Sequence, residues 1–154
     1  MTNYSKTINL PKTNFSMKAN LSETETQWLE FWHENEIYDK QKKKNKKNIK
    51  YVLHDGPPYA NGDLHLGHAL NKILKDVICR FKFQCAMDVE YVPGWDCHGL
   101  PIEWKVEEQF RKSGKKKSEV NLQTFREECR QFAKKWVSIQ RDQFNSIGLQ
   151  TDWE

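Results

Sequence analysis

The apolar positions fall into four helical stripes and two short strand-like runs. Trp28, Phe31 and Trp32 recur at spacings of three and four, and Ser22-Glu23-Thr24-Glu25 ahead of them reads as a capping box. A helix is expected from there, its aromatic face buried across a sheet. Tyr51, Val52 and Leu53 make a β-prone run that breaks at Gly56-Pro57-Pro58 and again at Asn61-Gly62. From His65 the period becomes helical. Leu70, Ile73, Leu74, Val77, Ile78 and Phe81 define a broad stripe expected to cover one sheet face, with Lys72, Lys75 and Asp76 turned to water. Asp88 to Val92 alternates as a strand and stops at Pro93-Gly94. Pro101 suits the first turn of a helix carrying Ile102, Val106 and Phe110 on one face, ended by Ser113-Gly114. Asn121 is a plausible N-cap for the last helix, in which Leu122, Phe125, Cys129, Phe132, Trp136 and Ile139 form a core stripe and Gly148 supplies the stop.

Strand, helix, strand in that order requires a crossover and a parallel pair, so the fold class is α/β, preceded by an N-terminal helix. The expected organisation is a loose polar extension over 1–20, a helix and basic connector over 21–48, and an α/β unit over 49–154. Lys42 to Lys47, broken by Asn45, reads as a solvated connector, with an RNA contact as the other reading.

At 154 residues there is room for one domain with a core. A net charge of +4 is compatible with an RNA partner and with an ordinary soluble protein alike, and decides nothing. Cys79, Cys85, Cys97 and Cys129 form no C-x-x-C pair and read as reduced thiols. No run approaches membrane-spanning length and the N-terminus has no apolar signal core, so a cytoplasmic location is expected.

Candidate chemistry concentrates between Ile49 and His68. A strand that turns into a glycine-bearing helix start is where α/β proteins hold phosphates, because the first-turn amides lack intrahelical acceptors and the dipole favours an anion. His65 and His68, three apart, can face one ligand from that turn, and Gly67 lets a flat group approach the backbone. A zinc site from His65, His68, Cys97 and His98 has the right residue types, but the spacing matches no standard structural pattern.

Asp-Gly-Pro-Pro-Tyr-Ala-Asn-Gly over 55–62, followed by His-Leu-Gly-His over 65–68, resembles the first signature of class I aminoacyl-tRNA synthetases in the form used by the isoleucine enzymes. Pro-Gly-Trp-Asp-Cys-His-Gly-Leu-Pro-Ile-Glu over 93–103 is similar to the isoleucyl pattern at matching separation. The resemblance runs from about Leu21 to Glu154. It implies the N-terminal half of a Rossmann-like nucleotide-binding domain, truncated before the editing insertion, with Thr151 to Glu154 approaching a third strand.

The resemblance also implies partners and roles. The substrates would be isoleucine, ATP with Mg²⁺, and tRNA(Ile), acylated on the 2′-hydroxyl; no protein-held metal is expected in this segment. His65 and His68 would be the catalytic donors to phosphate oxygens and the ribose region, with Asn61 and Gly67 completing the ATP site. Asp96 would hold the amino group of isoleucine, Gly56 and Pro57 would line its pocket, and Trp95 and His98 would shape the wall. Plain alternatives stand beside these: Asn61, Gly56 and Pro57 as turn residues, Asp96 as a helix N-cap, His54 as structural. The 154 residues contain no Lys-Met-Ser-Lys-Ser string, the second signature whose lysines clamp pyrophosphate. The chain by itself is therefore expected to lack ATP–pyrophosphate exchange, whether as a synthetase piece or, in a second reading, as a non-catalytic module that binds a nucleotide, RNA or protein.

Overall fold

Two short parallel strands and the helix between them organise the chain. In the computed structural model, which describes residues 4–9, 13–14, 16, 18–115 and 117–153, β1 (Lys50–Val52) pairs with β2 (Asp88–Glu90) in the register Tyr51 to Val89. Helix α3 (Leu66–Gln84) makes the crossover. Beyond the strands the backbones touch once more. Asp96 N–H donates to Pro58 O at 2.8 Å and Ala60 N–H to Asp96 O at 3.0 Å, an isolated parallel bridge between Tyr59 and Asp96. The architecture is mixed α/β.

Helix α1 (Leu21–Glu34) starts without the expected capping box: Asn20 occupies the N-cap at φ 45°, which asparagine tolerates, and makes no side-chain cap bond. Thr24 Oγ1 instead donates to the carbonyls of Ala19 and Asn20. Its aromatic face is not buried across the strands; Trp28 and Phe31 are exposed, and Trp32 lies against Gly148 and under the Arg80 guanidinium, 5.0 Å from its ring centroid. Residues Ile37–Asn45 form a second helix, α2, which takes in Lys42 to Asn45 of the expected basic connector and leaves Lys46 and Lys47 beyond its end. Its last residue is buried because Asn45 Nδ2 donates to the carbonyls of Phe83 and Met87 at 3.0 Å each, closing the end of α3. Thus α2, with α3, packs on β2. Of the N-terminal extension, 1–3, 10–12, 15 and 17 lie outside the described residues; Tyr4–Thr7 form a 3-10 turn.

The main reversal is in α3. The apolar stripe expected to be buried, Leu70, Ile73, Leu74, Val77, Ile78 and Phe81, is 41% to 62% exposed. Lys72 and Asp76, expected in water, are buried with Cys79 and Phe83 on the opposite face. Ion pairs accompany the reversal: Lys72 and Lys75 both bond Asp55, three residues past β1. Asp76 accepts from Arg80 Nε at 2.6 Å and from the Gln150 N–H at 3.0 Å.

Pro101 lies in the first turn of α4 (Leu100–Lys112), and Gly114 at φ 77° follows its end. Asn121 caps α5 (Leu122–Ser146) by accepting from Gln123 N–H at 2.8 Å, and Gly148 at φ 80° follows it. Two buried clusters result. Cys79, Phe83, Val89 and Tyr91 join the strands to α3, while Ala60, Ile102 and Ala133 join α4, α5 and the loop after β1. Fully buried aliphatic and aromatic side chains of this kind contribute about 1.5–3 kcal/mol each. At 151–153 no strand forms; the Asp152 N–H donates to Tyr91 O at 3.2 Å.

Candidate active site

The first turn of α3 is closed by its own histidines. His65 is the N-cap, and its Nδ1 accepts from the N–H groups of Gly67 at 3.1 Å and His68 at 3.4 Å. His68 Nδ1 returns the bond by accepting from the His65 N–H at 3.4 Å. The rings stack, centroids 3.8 Å apart and 21° from parallel. An N–H pointing at Nδ1 requires that nitrogen to be bare, so each neutral ring carries its proton on Nε2. Two N–H donors thus stand at the positive end of a helix of 19 residues. Burial, then His65, then Lys72 hold the His68 pKa below the ordinary histidine value, which favours this neutral donor form.

Gly67 serves the histidines first. A Cβ there would meet His65 Cε1 at 2.9 Å and Nδ1 at 3.0 Å, so the missing side chain makes room for the capping ring.

The loop ahead of α3 is fastened by two side chains of α5 that sequence reasoning did not single out. Gln140, 1% exposed, donates through Nε2 to Tyr59 O at 3.0 Å and Gly62 O at 2.7 Å, while its Oε1 accepts from Trp95 Nε1 at 2.9 Å. Gln143 accepts from the Leu64 N–H and donates to Asp63. Asn61 is half-buried within the segment that Gln140 holds. The signal was present: Gln140 sits four after Trp136 and four before Phe144, inside the apolar stripe.

Beyond the strand ends lies a cleft of about 270 Å³ lined by Val52, Leu53, His54, Asp55, Pro57, Glu90, Val92 and Gly94. Pro57 is exposed on it, and an added Cβ at Gly56 would meet nothing within 4 Å. His54, expected to be structural, is exposed and contributes to the same wall. Asp96 is held beside Pro58 and Ala60 by the backbone bridge. Its Oδ1 accepts from the His98 N–H at 3.3 Å, and with 28% of the side chain exposed the carboxylate remains reachable. It is not the cap of α4; Gly99 takes that place. Trp95 packs in the cluster with Ala60, Ile102 and Ala133, with its N–H given to Gln140, and is not among the residues lining the cleft. His98 is 91% exposed, its Nδ1 3.8 Å from Asp96 Oδ1. Burial and then Asp96 push the Cys97 thiol pKa up, which suppresses the thiolate. No group of three or more His, Cys, Asp or Glu side chains is placed to hold a metal among the described residues.

A larger cleft, about 350 Å³, lies against α2 and the strands. Its rim carries Lys42, Lys43, Lys46 and Lys50 but also Asp39, Asp88 and Glu90, and Lys42 bonds Asp152, so much of the positive charge is compensated internally. No helix of the described residues is long and apolar enough to cross a membrane.

Comparison with known proteins agrees with the two signature strings. The chain is 56% identical over 147 residues to an isoleucine–tRNA ligase of Pelagibacter ubique, 55% over 150 to one of Ruegeria pomeroyi, and 52% over 151 to one of Caldicellulosiruptor saccharolyticus. These alignments cover 96%, 97% and 98% of the chain, but only 16%, 15% and 16% of the three relatives. The family model described as tRNA synthetases class I (I, L, M and V) matches residues 27–154, so the fingerprint, the histidine cap and the Asp96 bridge all fall within it, and the chain belongs to that family.

Proposed function

We propose that this chain is the N-terminal part of the catalytic domain of an isoleucine–tRNA ligase, the first half of a Rossmann-like nucleotide-binding fold in a cytoplasmic enzyme. The intact enzyme would activate isoleucine with ATP to isoleucyl-adenylate and transfer the acyl group to tRNA(Ile). The observation that carries the reading is the reciprocal histidine cap, which leaves an Nε2–H donor on each ring at a helix N-terminus that favours anions.

In the first step the isoleucine carboxylate attacks the α-phosphorus of ATP and pyrophosphate leaves with the bonding pair. The attacking group is already ionised, so no base is needed, and catalysis reduces to alignment and stabilisation of charge on the phosphate oxygens. His65 and His68 supply donors that are fixed before substrate arrives. Asn61 and Gly67 support the same end, one in a loop tied to α5, the other by leaving room for the His65 ring. Asp96 would take the substrate ammonium in a charge-assisted contact, with Gly56 and Pro57 forming the near wall. His98 stands at the exposed rim, and Trp95 acts by holding the Asp96 loop to Gln140. Mg²⁺ enters as the counter-ion of ATP, part of the substrate.

The test is a chimera in which this chain replaces the matching segment of the Pelagibacter ubique ligase. Isoleucine-dependent ATP–pyrophosphate exchange is expected, with kcat falling by about 10²–10³ in His68→Ala, as for removal of a preorganised donor. Asp96→Asn is expected to raise KM for isoleucine. A folded, soluble chimera without exchange would overturn the assignment. The 154 residues alone are expected to give no exchange and to regain it when the downstream portion is added in trans.

A further inference from the structure

Asp55, the first residue of the Asp-Gly-Pro-Pro string, carries none of the roles above, yet it is among the most enclosed charged side chains described, 3% exposed. Its carboxylate is bonded from two directions. Lys72 Nζ reaches Oδ2, while Lys75 Nζ at 2.6 Å and the Tyr91 hydroxyl at 3.3 Å both donate to Oδ1. The Lys72 side chain is likewise 3% exposed, with its ammonium 5.4 Å from the Phe144 ring centroid. The arrangement spans the candidate site. Asp55 directly precedes Gly56 and Pro57 at the amino-acid end, and Lys72 lies one helical turn after His68 at the ATP end.

Stability alone is a poor reason for such a cluster. A buried ion pair can often be replaced by apolar side chains of similar volume at little or no cost, whereas removing one partner strands the other charge. The chain nonetheless turns lysines inward while leucines and isoleucines of the same helix stay exposed. What the ion pair supplies and an apolar contact would not is a directional, fixed-length tie between the β1 turn and α3.

We propose that Asp55 is a positioning residue: held by Lys72 and Lys75, it fixes the Gly56-Pro57 turn relative to the helix bearing His65 and His68, and so sets the approach of the isoleucine carboxylate to the α-phosphate. The inference rests on the functional reading above and names a residue that reading leaves without a task.

The chimeric ligase tests it by exchange kinetics well below its melting temperature. Asp55→Asn should lower kcat by ~10- to 100-fold while KM for isoleucine and for ATP change by less than ~3-fold, since a displacement of about 1 Å in bound reactants costs up to ~10²-fold. The paired variant Asp55→Asn with Lys72→Met removes both buried charges. It should recover the melting temperature lost by Asp55→Asn while kcat stays low, and it carries the test if the single variant does not fold. An unchanged kcat in a folded Asp55→Asn, or recovery of kcat together with melting temperature in the paired variant, would overturn the positioning role alone. An unsubstituted chimera that folds but has no exchange would overturn the functional reading and this inference with it.

Discussion

His65 and His68 cap each other: each Nδ1 accepts a backbone N–H from the other residue, and the two rings lie face to face. The contacts that satisfy the helix start also fix the protons on Nε2, so helix capping and donor orientation are one arrangement. Ordinary caps use a hydroxyl, carboxylate or amide oxygen, as Asn121 does for α5. Here the capping atoms are imidazole nitrogens, and a proton taken up on Nδ1 of His68 removes its acceptor, which makes the cap sensitive to protonation.

That sensitivity has a definite sign. The folded pKa of His68 is held below its unfolded value of about 6.5 by burial, His65 and Lys72. Above that value the neutral ring is present in both states and its full contribution to stability remains. As pH falls through the depressed folded value, the unfolded chain binds the proton more readily and the contribution is lost. The His68 ring proton should titrate by NMR with a midpoint below that of an unstructured histidine peptide, and the urea midpoint should drop between pH 7.5 and pH 5. A midpoint at or above the peptide value would contradict the capping geometry.

Gly67→Ala separates stability from site geometry. Alanine favours the helix over glycine by up to about 1 kcal/mol, while pushing the His65 ring off its cap costs about as much. The urea midpoint should therefore stay nearly constant. Exchange by the chimeric ligase should still fall, because the added methyl occupies the space of the His65 ring. Undiminished exchange would show that His65 need not stay where the cap holds it.

Gln140→Leu should be costly for the opposite reason. Its shape is nearly kept, but Trp95 Nε1 and the carbonyls of Tyr59 and Gly62 each lose a partner. At about 1–3 kcal/mol for a buried group left unsatisfied, and with partial relief by water, a loss of about 3 kcal/mol is expected in urea unfolding. Gln143→Leu, at a more open position, should cost less.

These residues also mark what a sequence can disclose. The start of α3 at His65, the Asn121 cap, the Gly148 stop and the parallel pairing of β1 with β2 were legible because each depends on local chemistry or on chain order. The signature strings singled out Gly56, Pro57, Asp96 and the histidines. Gln140 is not legible in the same way, because an amide in an apolar stripe looks like a tolerated exception until the loop carbonyls it serves are known. The orientation of α3 is not legible, because periodicity reports which face is apolar, not which face this chain covers. On the buried side Lys72 and Lys75 meet Asp55, a long-range pairing that no window along the helix reveals.

The exposed side of α3 gives the last prediction. Leu66, Leu70, Ile73, Leu74, Val77, Ile78 and Phe81 lie along one helix, each at least 41% exposed. Contiguous apolar surface on this scale is uncommon on monomeric proteins and drives association. The 154-residue chain should therefore self-associate as its concentration rises, followed by light scattering on a sizing column. The double substitution Leu74→Lys with Val77→Lys, at sites 55% and 57% exposed, should shift it toward monomer. Because neither side chain is buried, the urea midpoint should move by no more than about 0.5 kcal/mol equivalent. Association unaffected by the two lysines would place the sticky surface elsewhere. A large loss of stability would mean that α3 packs through this face after all, with its lysines outward, and the Asp55 tie would then have to be abandoned as well.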